Sequence, residues 1–183
     1  MGAIILTGSI ATGKSTVASL LKLYGYKIVC ADEIAHQELS KHSDVIEQMF
    51  GTSDRAKLRE IIFSNSQKRK MLEDFLHPKI KQRILQESHK MDLDGVAYFL
   101  DIPLYFEKQN YNDFTQVAVV YTPKEQQLAR LSKRDNITKE EAQKIIDLQM
   151  DIELKKQKAT YVIDNSKDLK HLQNEVENFI KQI

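Results

Sequence analysis

The sequence predicts an α/β fold in which a five-stranded parallel sheet carries helices on both faces. Three observations predict it: short apolar runs without polar alternation, amphipathic stretches between them, and a glycine-containing loop directly after the first run. Continuous apolar runs are typical of parallel strands buried on both faces, and their alternation with helices indicates crossover connections. The runs are Ala3–Thr7, Lys27–Cys30, Val96–Leu100, Val117–Tyr121 and Tyr161–Ile163.

The first strand leads into a loop that matches the phosphate-binding motif G-x-x-x-x-G-K-[ST] over residues 8–16. Gly8 and Gly13 permit a tight backbone path and the close approach of a ligand. The loop amides then form an anion site at the positive end of the next helix. In this motif Lys14 reaches the β- and γ-phosphates and the Ser15 hydroxyl binds Mg²⁺. The sequence therefore predicts a nucleoside triphosphate site.

A chance match to the motif is the alternative, and the residues that follow argue against it. A helix is expected directly after the loop, because apolar residues recur there at helical spacing. These residues are Val17, Ala18, Leu20, Leu21 and Leu23.

The stretch from Asp32 to Gly95 predicts several amphipathic helices and no strand. It is too long for a plain crossover between two strands, so we interpret it as a helical insertion over the carboxyl edge of the sheet, where ligands bind in such folds. Two later helix starts carry cap signals. Thr122 is expected to cap a helix with Pro123 at its first position, and Thr138 to form a capping box with Glu141.

Two carboxylates follow predicted strands and have alternative interpretations. Asp32 either caps the helix beginning at Glu33 or accepts a proton as a general base. Asp101 either ends its strand in solvent or holds Mg²⁺ beside the phosphate loop, and we favour the metal role.

Arg130 and Arg134 lie four residues apart on one helix face, where they either clamp phosphates or form a solvated basic surface. Base rates favour the solvated surface. His77 precedes Pro78, which should end or kink its helix. A single histidine in such a place is more often structural than catalytic.

Composition excludes several functional classes. There are 27 basic and 26 acidic residues, so no global field favours nucleic acid or an anionic membrane. The single cysteine, Cys30, provides no disulfide framework and suits a reducing cytoplasm. No run reaches the ~20 apolar residues of a membrane span, and the N-terminal run is too short for a signal peptide. We expect a cytoplasmic protein.

Six segments together resemble the dephospho-CoA kinase family over nearly the whole chain. The phosphate loop alone is generic, whereas the H-P, D-x-P-L-x-F-E and V-I-D-N segments are far more discriminating. The segments are residues 6–16, 31–36 (Ala-Asp-x-Ile-Ala-His), 76–80 (Leu-His-Pro-x-Ile), 101–107 (Asp-Ile-Pro-Leu-Tyr-Phe-Glu), 130–135 (Arg-Leu-x-x-Arg-Asp) and 161–166 (Tyr-Val-Ile-Asp-Asn-Ser).

The resemblance implies a P-loop NTPase fold with a helical substrate-binding insertion and a helical lid. It implies a core of residues 1–31, 96–135 and 159–183, an insertion at about 32–95 and a lid at about 130–158. ATP, with Mg²⁺, would phosphorylate the ribose 3′-hydroxyl of dephospho-CoA to give coenzyme A and ADP. We expect a monomer with no nucleic acid or membrane partner.

The resemblance also implies roles for individual residues. Asp32 aligns with the family's proposed base, Lys14 and Arg134 would act on the transferring phosphoryl group, and Ser15 and Asp101 would hold the metal. Asn165 would lie beside adenine. The ATP-binding set is Gly8, Ala11, Thr12, Gly13, Lys14, Ser15, Thr16, Arg130 and Asn165. The substrate-binding set is His77, Pro78, Leu104, Tyr105, Phe106 and Glu107.

Four positions depart from the family pattern: Ser9 and Ala11 replace loop glycines, Cys30 replaces an aspartate, and Lys144 replaces a lid arginine. Two alternative functions remain at this point. Another small-acceptor kinase would share the core and lid. A nucleotide-driven switch is disfavoured, because residues 165–168 only half resemble the guanine-reading motif Asn-Lys-x-Asp.

Overall fold

The computed structural model describes residues 2–93, 95, 97–108, 111 and 113–183. Its parallel sheet has five strands in the order β2-β3-β1-β4-β5. This arrangement confirms the α/β fold class. The strands are β1 (Ala3–Gly8), β2 (Lys27–Cys30), β3 (Tyr98–Asp101), β4 (Val117–Tyr121) and β5 (Tyr161–Asp164).

The strand register carries Asp101 into the sheet beside β1. Leu6 of β1 pairs with Asp101 of β3, so β3 extends one residue beyond the predicted run and ends on the carboxylate. At its other end β3 begins at Tyr98, and Val96 lies outside the described residues. On the opposite side of β1, Gly8 pairs with Val120 of β4. The register thereby brings the ends of three strands to one edge of the sheet.

Helices fill the connections between the strands. None of the helices in the described part of the chain has the length and apolar character needed to cross a bilayer. They are α1 (Lys14–Leu23), α2 (Ala31–Lys41), α3 (Ser43–Phe50), α4 (Arg55–Ser64), α5 (Ser66–Leu93), α6 (Tyr105–Lys108), α7 (Lys124–Asp135), α8 (Lys139–Asp147), α9 (Ile152–Lys158) and α10 (Leu169–Ile180).

The main core packs α1 and α10 against the sheet. From α1 it takes Val17, Ala18 and Leu21, as their spacing predicts, whereas Leu23 is 83% exposed and lies off that face. The remaining members come from four strands and from α10. They are Ile4, Leu6, Phe99, Ala118, Val120, Ile163, Leu172, Val176 and Phe179.

The chain divides into two compact units, Met1–Val29 with Met91–Ile183, and Cys30–Lys90. The second unit begins with Cys30, the last residue of β2, and contains α2, α3 and α4 and most of α5, with no other strand residue among those described. We expected Pro78 to end or kink its helix; it lies inside α5, so the helix does not end there. A helix of this length, 28 residues, retains enough other hydrogen bonds to continue past the one that proline cannot donate.

One of the two predicted cap signals is wrong and the other is confirmed. Helix α7 begins at Lys124 with Pro123 at the N-cap, and no side chain caps it. The Thr122 hydroxyl lies instead 3.1 Å from the Thr12 main-chain oxygen, a partner that local sequence does not indicate. At α8 the Thr138 and Glu141 side chains each accept the expected main-chain bond.

Candidate active site

The phosphate loop connects β1 to α1 through two left-handed backbone positions. Gly13 forms the N-cap of α1 with φ 86°, and Ala11 has φ 62°. A side chain in the left-handed region costs about 1–2 kcal/mol, so the family's glycine suits position 11 better than the alanine of this chain. The first N–H groups of a helix have no intrahelical partner. The loop therefore leaves the Lys14 and Ser15 amides where they could donate to an anion.

Both motif glycines lie close to protein atoms. A Cβ atom on Gly8 would lie 2.7 Å from the Thr12 hydroxyl oxygen and 3.0 Å from the Val120 main-chain oxygen. A Cβ atom on Gly13 would lie 2.2 Å from the Asn165 side-chain nitrogen, and the residue also has a positive φ. A side chain at either position would therefore displace Thr12 or Asn165.

Three side chains, Thr122, Arg130 and Asn165, form what we call the Thr12 brace. The Asn165 amide donates to the Thr12 main-chain oxygen at 2.8 Å, and the Thr122 hydroxyl lies 3.1 Å from the same atom. The Arg130 guanidinium donates to the Thr122 hydroxyl at 3.2 Å and to the Asn165 main-chain oxygen at 2.9 Å. The brace holds the loop from the side of β4 and β5.

The brace gives Arg130 and Asn165 partners that the sequence did not indicate. We expected Arg130 in a phosphate clamp or on a solvated face, and Asn165 beside adenine. Their hydrogen bonds connect the loop to the strand ends, and Asn165 is buried. Their roles toward ATP stay predictions. Sequence reasoning missed Thr122 as a loop contact, because its position before Pro123 resembled a helix cap.

Lys14 and Asp101 form an ion pair at the sheet edge. The Lys14 ammonium donates to Asp101 Oδ1, and the two side chains are 18% and 11% exposed. The ion pair results from the parallel pairing of β1 with β3, since Lys14 lies after the end of β1 and Asp101 is the last residue of β3. The structure thus brings together the loop lysine and the acid that the sequence marked for metal binding.

The protein atoms available for a metal here are oxygen donors. Ser15 is exposed in the first turn of α1, and Asp101 contributes a carboxylate. Across the described ranges, no group of three or more His, Cys, Asp or Glu side chains is arranged to hold an ion. One carboxylate and one hydroxyl fit Mg²⁺, which usually keeps waters and phosphate oxygens as its other ligands.

Arg134 makes its side-chain hydrogen bonds away from Lys14 and Asp101. Its guanidinium donates two hydrogen bonds to the neighbouring Asp135, Nε–Oδ1 at 2.7 Å and Nη2–Oδ2 at 3.0 Å. These bonds raise the pKa of Arg134 and lower the pKa of Asp135. Lys144, the departure from the family's lid arginine, is exposed on α8. The structure does not bring Arg134 and Arg130 to a common partner.

The segment after β3 provides two aromatic side chains and an acid. The Tyr105 and Phe106 rings pack edge to face at 5.1 Å, and the Tyr105 hydroxyl donates to the Phe114 main-chain oxygen at 2.7 Å. Burial raises the pKa of Tyr105. Leu104 is partly buried. Glu107 accepts a hydrogen bond from the Met150 amide at 3.0 Å and forms an ion pair with Lys155.

Asp32 lies in the first turn of α2, two residues after the end of β2. The helix begins at Ala31 with Cys30 at the N-cap, and no side chain caps it. The interpretation of Asp32 as the cap of a helix beginning at Glu33 is therefore wrong. Its carboxylate is exposed. In the same compact unit, His77 is partly buried on α5 and Pro78 is exposed.

With this geometry established, comparison with known proteins gives one consistent result. The dephospho-CoA kinase family model matches residues 3–171. The chain belongs to the dephospho-CoA kinase family. It is 50% identical to the dephospho-CoA kinase of Sulfurimonas denitrificans, with 99% of this chain and 94% of the relative covered. It is 44% identical to that of Helicobacter pylori, with 99% and 97% covered.

A solved structure agrees with the sequence comparisons. The dephospho-CoA kinase of Campylobacter jejuni superposes with a TM-score of 0.82 at 36% identity, covering 98% of this chain and 96% of that one. Membership of this dephospho-CoA kinase family confirms the resemblance drawn from the six sequence segments. It also confirms that the chain is an enzyme, a kinase, and it leaves the nucleotide-switch alternative without support.

Proposed function

We propose that this chain transfers the γ-phosphoryl group of ATP to the ribose 3′-hydroxyl of dephospho-CoA. The products are coenzyme A and ADP. The observation that carries the proposal is the pairing of Lys14 with Asp101 at the carboxyl edge of the sheet, in a chain of the dephospho-CoA kinase family. This arrangement suits a nucleotide-metal complex, since it places a cation for phosphate oxygens beside a carboxylate for a metal.

The phosphate loop binds the triphosphate and stabilises the transferring group. Amides at the start of α1 donate to phosphate oxygens, and Lys14 turns from Asp101 to the β- and γ-phosphates. Ser15 and Asp101 would hold Mg²⁺, which neutralises phosphate charge when bound. Because these donors are fixed before reaction, catalysis rests mainly on positioning and charge stabilisation.

Asp32 acts as the general base in this proposal. As the 3′-oxygen bonds to the γ-phosphorus, its proton passes to the Asp32 carboxylate. The bond from phosphorus to the bridging oxygen breaks, and ADP leaves with that electron pair. Two features support the role: Asp32 is exposed, and it does not serve as a helix cap. Cys30, where relatives carry an acid, leaves Asp32 to act without a second carboxylate at that position.

The acceptor is bound by the helical unit and by the segment after β3. His77 and Pro78 contribute from α5, and Leu104, Tyr105 and Phe106 contribute an apolar surface. Arg134, in the proposed lid of residues 130–158, reaches the transferring phosphoryl group once its guanidinium is released from Asp135. We expect a monomer that works in the cytoplasm, and the balance of 27 basic against 26 acidic residues provides no global field for nucleic acid or a membrane.

An acceptor assay tests the proposal directly. The purified protein with ATP and Mg²⁺ should form ADP and coenzyme A only when dephospho-CoA is present. Nucleoside monophosphates should not replace it. The matched control is Lys14→Ala, which should bind and turn over little ATP. Turnover with a nucleoside monophosphate and none with dephospho-CoA would favour another small-acceptor kinase.

A further inference from the structure

The segment that follows α8 and runs into the start of α9 contacts the tip of the phosphate loop. We call residues Gln149–Lys155 the bridge segment. Its first residue, Gln149, accepts a hydrogen bond from the Ile10 main-chain amide at 2.8 Å. The Ser9 hydroxyl makes a longer contact, 3.5 Å, to the Met150 main-chain oxygen. The loop is thus held on this side by residues about 140 positions away along the chain.

The other end of the bridge segment contacts the acidic residue that follows β3. Glu107 Oε1 accepts a hydrogen bond from the Met150 amide at 3.0 Å and lies 2.7 Å from Lys155 Nζ. The Lys155 side chain has no exposed surface. Among the described residues, the second carboxylate oxygen of Glu107 has no hydrogen-bond partner.

The burial of Lys155 dictates where the Glu107 charge is used. An ammonium group removed from water is costly unless an opposite charge lies beside it, and Glu107 provides that charge. If the carboxylate turned toward a substrate, Lys155 would remain charged and unpaired, or would lose its proton. Buried ion pairs contribute little net stability. In this chain the role of the Glu107–Lys155 pair is better explained by the position that it imposes on Met150 and Gln149.

The position matters because Ile10 is fixed by two independent contacts. Its amide donates to Gln149, and its side chain packs against a small apolar cluster of Leu131, Ala142 and Ile146 from α7 and α8. Ala11, in its left-handed conformation, packs against the same cluster. A displaced bridge segment would therefore leave Ile10 held by the apolar cluster alone.

We propose that Glu107 and Lys155 are positioning residues for the ATP site. They fix the bridge segment so that Gln149 holds the phosphate loop at Ile10. This assignment replaces the expectation that the Glu107 carboxylate binds the acceptor. It rests on the proposed function only in naming the nucleotide as ATP.

The test measures nucleotide binding and acceptor kinetics separately. Titration calorimetry with a non-hydrolysable ATP analogue gives the dissociation constant without any acceptor. Glu107→Gln should weaken binding about tenfold, because it leaves Lys155 unpaired. The double variant Glu107→Gln with Lys155→Met should bind more tightly than Glu107→Gln alone, since no buried charge remains. The KM for dephospho-CoA should stay within about twofold of the wild-type value in both.

Gln149→Ala examines the last link of the proposal without touching the ion pair. Since it removes only the acceptor for the Ile10 amide, it should weaken analogue binding several-fold at an unchanged melting temperature. Gln157→Ala, an exposed glutamine on α9, is the matched control and should bind as the wild type does. If Glu107→Gln fails to fold, the comparison of Gln149→Ala with Gln157→Ala still tests the proposal.

Two results would overturn the proposal. A raised KM for dephospho-CoA with normal analogue binding in Glu107→Gln would return Glu107 to the acceptor site. Normal analogue binding in every variant, with only lower melting temperatures, would make the pair structural. Failure of the proposed function is distinguishable from both, because it would leave wild-type analogue binding intact while dephospho-CoA is not phosphorylated.

Discussion

The side-chain amide of Asn165 donates a hydrogen bond to the main-chain oxygen of Thr12, 153 positions away in the sequence. The contact is possible because β4 pairs with both β1 and β5, so that the chain after β5 returns to the loop after β1. The conformation of the phosphate loop is therefore imposed by the edge of the sheet as well as by its own sequence.

Asn165→Ala should destabilise the protein and weaken ATP binding together. It leaves the Thr12 oxygen with the Thr122 hydroxyl, and a lost hydrogen bond of this kind costs about 1 kcal/mol. For a chain of this size we expect a melting temperature roughly 2–4 °C lower. Thermal denaturation with and without ATP measures both effects. Asn174→Ala, an exposed amide on α10, is the control, and equal behaviour of the two variants would contradict the prediction.

Lys14→Ala should remove most of the kinase activity while the chain stays folded. Loss of one preorganised electrostatic donor typically lowers kcat by about 10²–10³. Steady-state ADP formation measures the effect, and circular dichroism checks the fold. Lys22→Ala, an exposed lysine in the last turn of the same helix, should have wild-type activity. A Lys14→Ala enzyme with near-normal turnover would remove the loop lysine from the mechanism.

Asp32→Asn should lower kcat by about 10²–10⁴, the usual contribution of a general base. Stability should change little, because the Asp32 side chain is exposed and caps no helix. The matched control is Glu33→Gln, which alters the adjacent exposed acid in the same helical turn. Coenzyme A formation at saturating substrates measures kcat. Turnover by Asp32→Asn equal to that of Glu33→Gln would assign the base to another group.

Ala11→Gly should leave the protein as stable as the wild type or more stable by up to about 1.6 kcal/mol. The substitution relieves the left-handed conformation of residue 11, worth about 1–2 kcal/mol. It also increases the entropy of the unfolded chain, which costs about 0.4–1 kcal/mol. Urea denaturation measures the balance. Ala129→Gly, in the exposed interior of α7, should instead lose about 1 kcal/mol; equal losses would argue against strain at Ala11.

Tyr121 should make stability fall at alkaline pH. The hydrogen bond that its hydroxyl donates to Glu153, 2.6 Å long, raises the pKa of Tyr121 from 10.0 to about 12, with burial adding to it. The folded state holds the proton more tightly than the unfolded state, so the contribution is complete below about pH 10 and lost by about pH 12.

The corresponding experiment compares Tyr121→Phe with the wild type across this range. The difference in their melting temperatures should shrink as pH rises, because ionisation removes the bond from the wild type alone. Tyr24→Phe provides a second case, because a hydrogen bond to Glu177 raises the pKa of Tyr24 as well, and its difference from the wild type should shrink likewise. A difference that stays constant for Tyr121→Phe would refute the assignment.

Local sequence predicted the features that depend on local physics. The apolar runs located the strands, since strands buried on both faces need no polar residues. The phosphate motif located the loop, and the Thr138 capping box located the start of α8. The cap prediction for Thr122 also used local sequence, and it failed. A threonine before a proline fits the cap pattern even when its hydroxyl bonds to a distant main-chain oxygen, as it does here to Thr12.

Contacts between distant segments could not be predicted in this way. Lys155 lies among several lysines, a pattern typical of a solvated surface. No neighbouring residue in the sequence indicates that its side chain is buried beside Glu107. Gln149 carries no motif that marks it as a partner of Ile10. Such pairs depend on how three strand ends and two helices meet, which is information that single residues and their spacing do not contain.

The close approach of Asn165 to Gly13 has a consequence for how this site can be transplanted. A Cβ atom at position 13 would lie 2.2 Å from the Asn165 side-chain nitrogen. A side chain there would therefore displace the amide that donates to the Thr12 main-chain oxygen. An engineer who grafts residues 8–16 onto another scaffold would therefore move the motif without the part that shapes it.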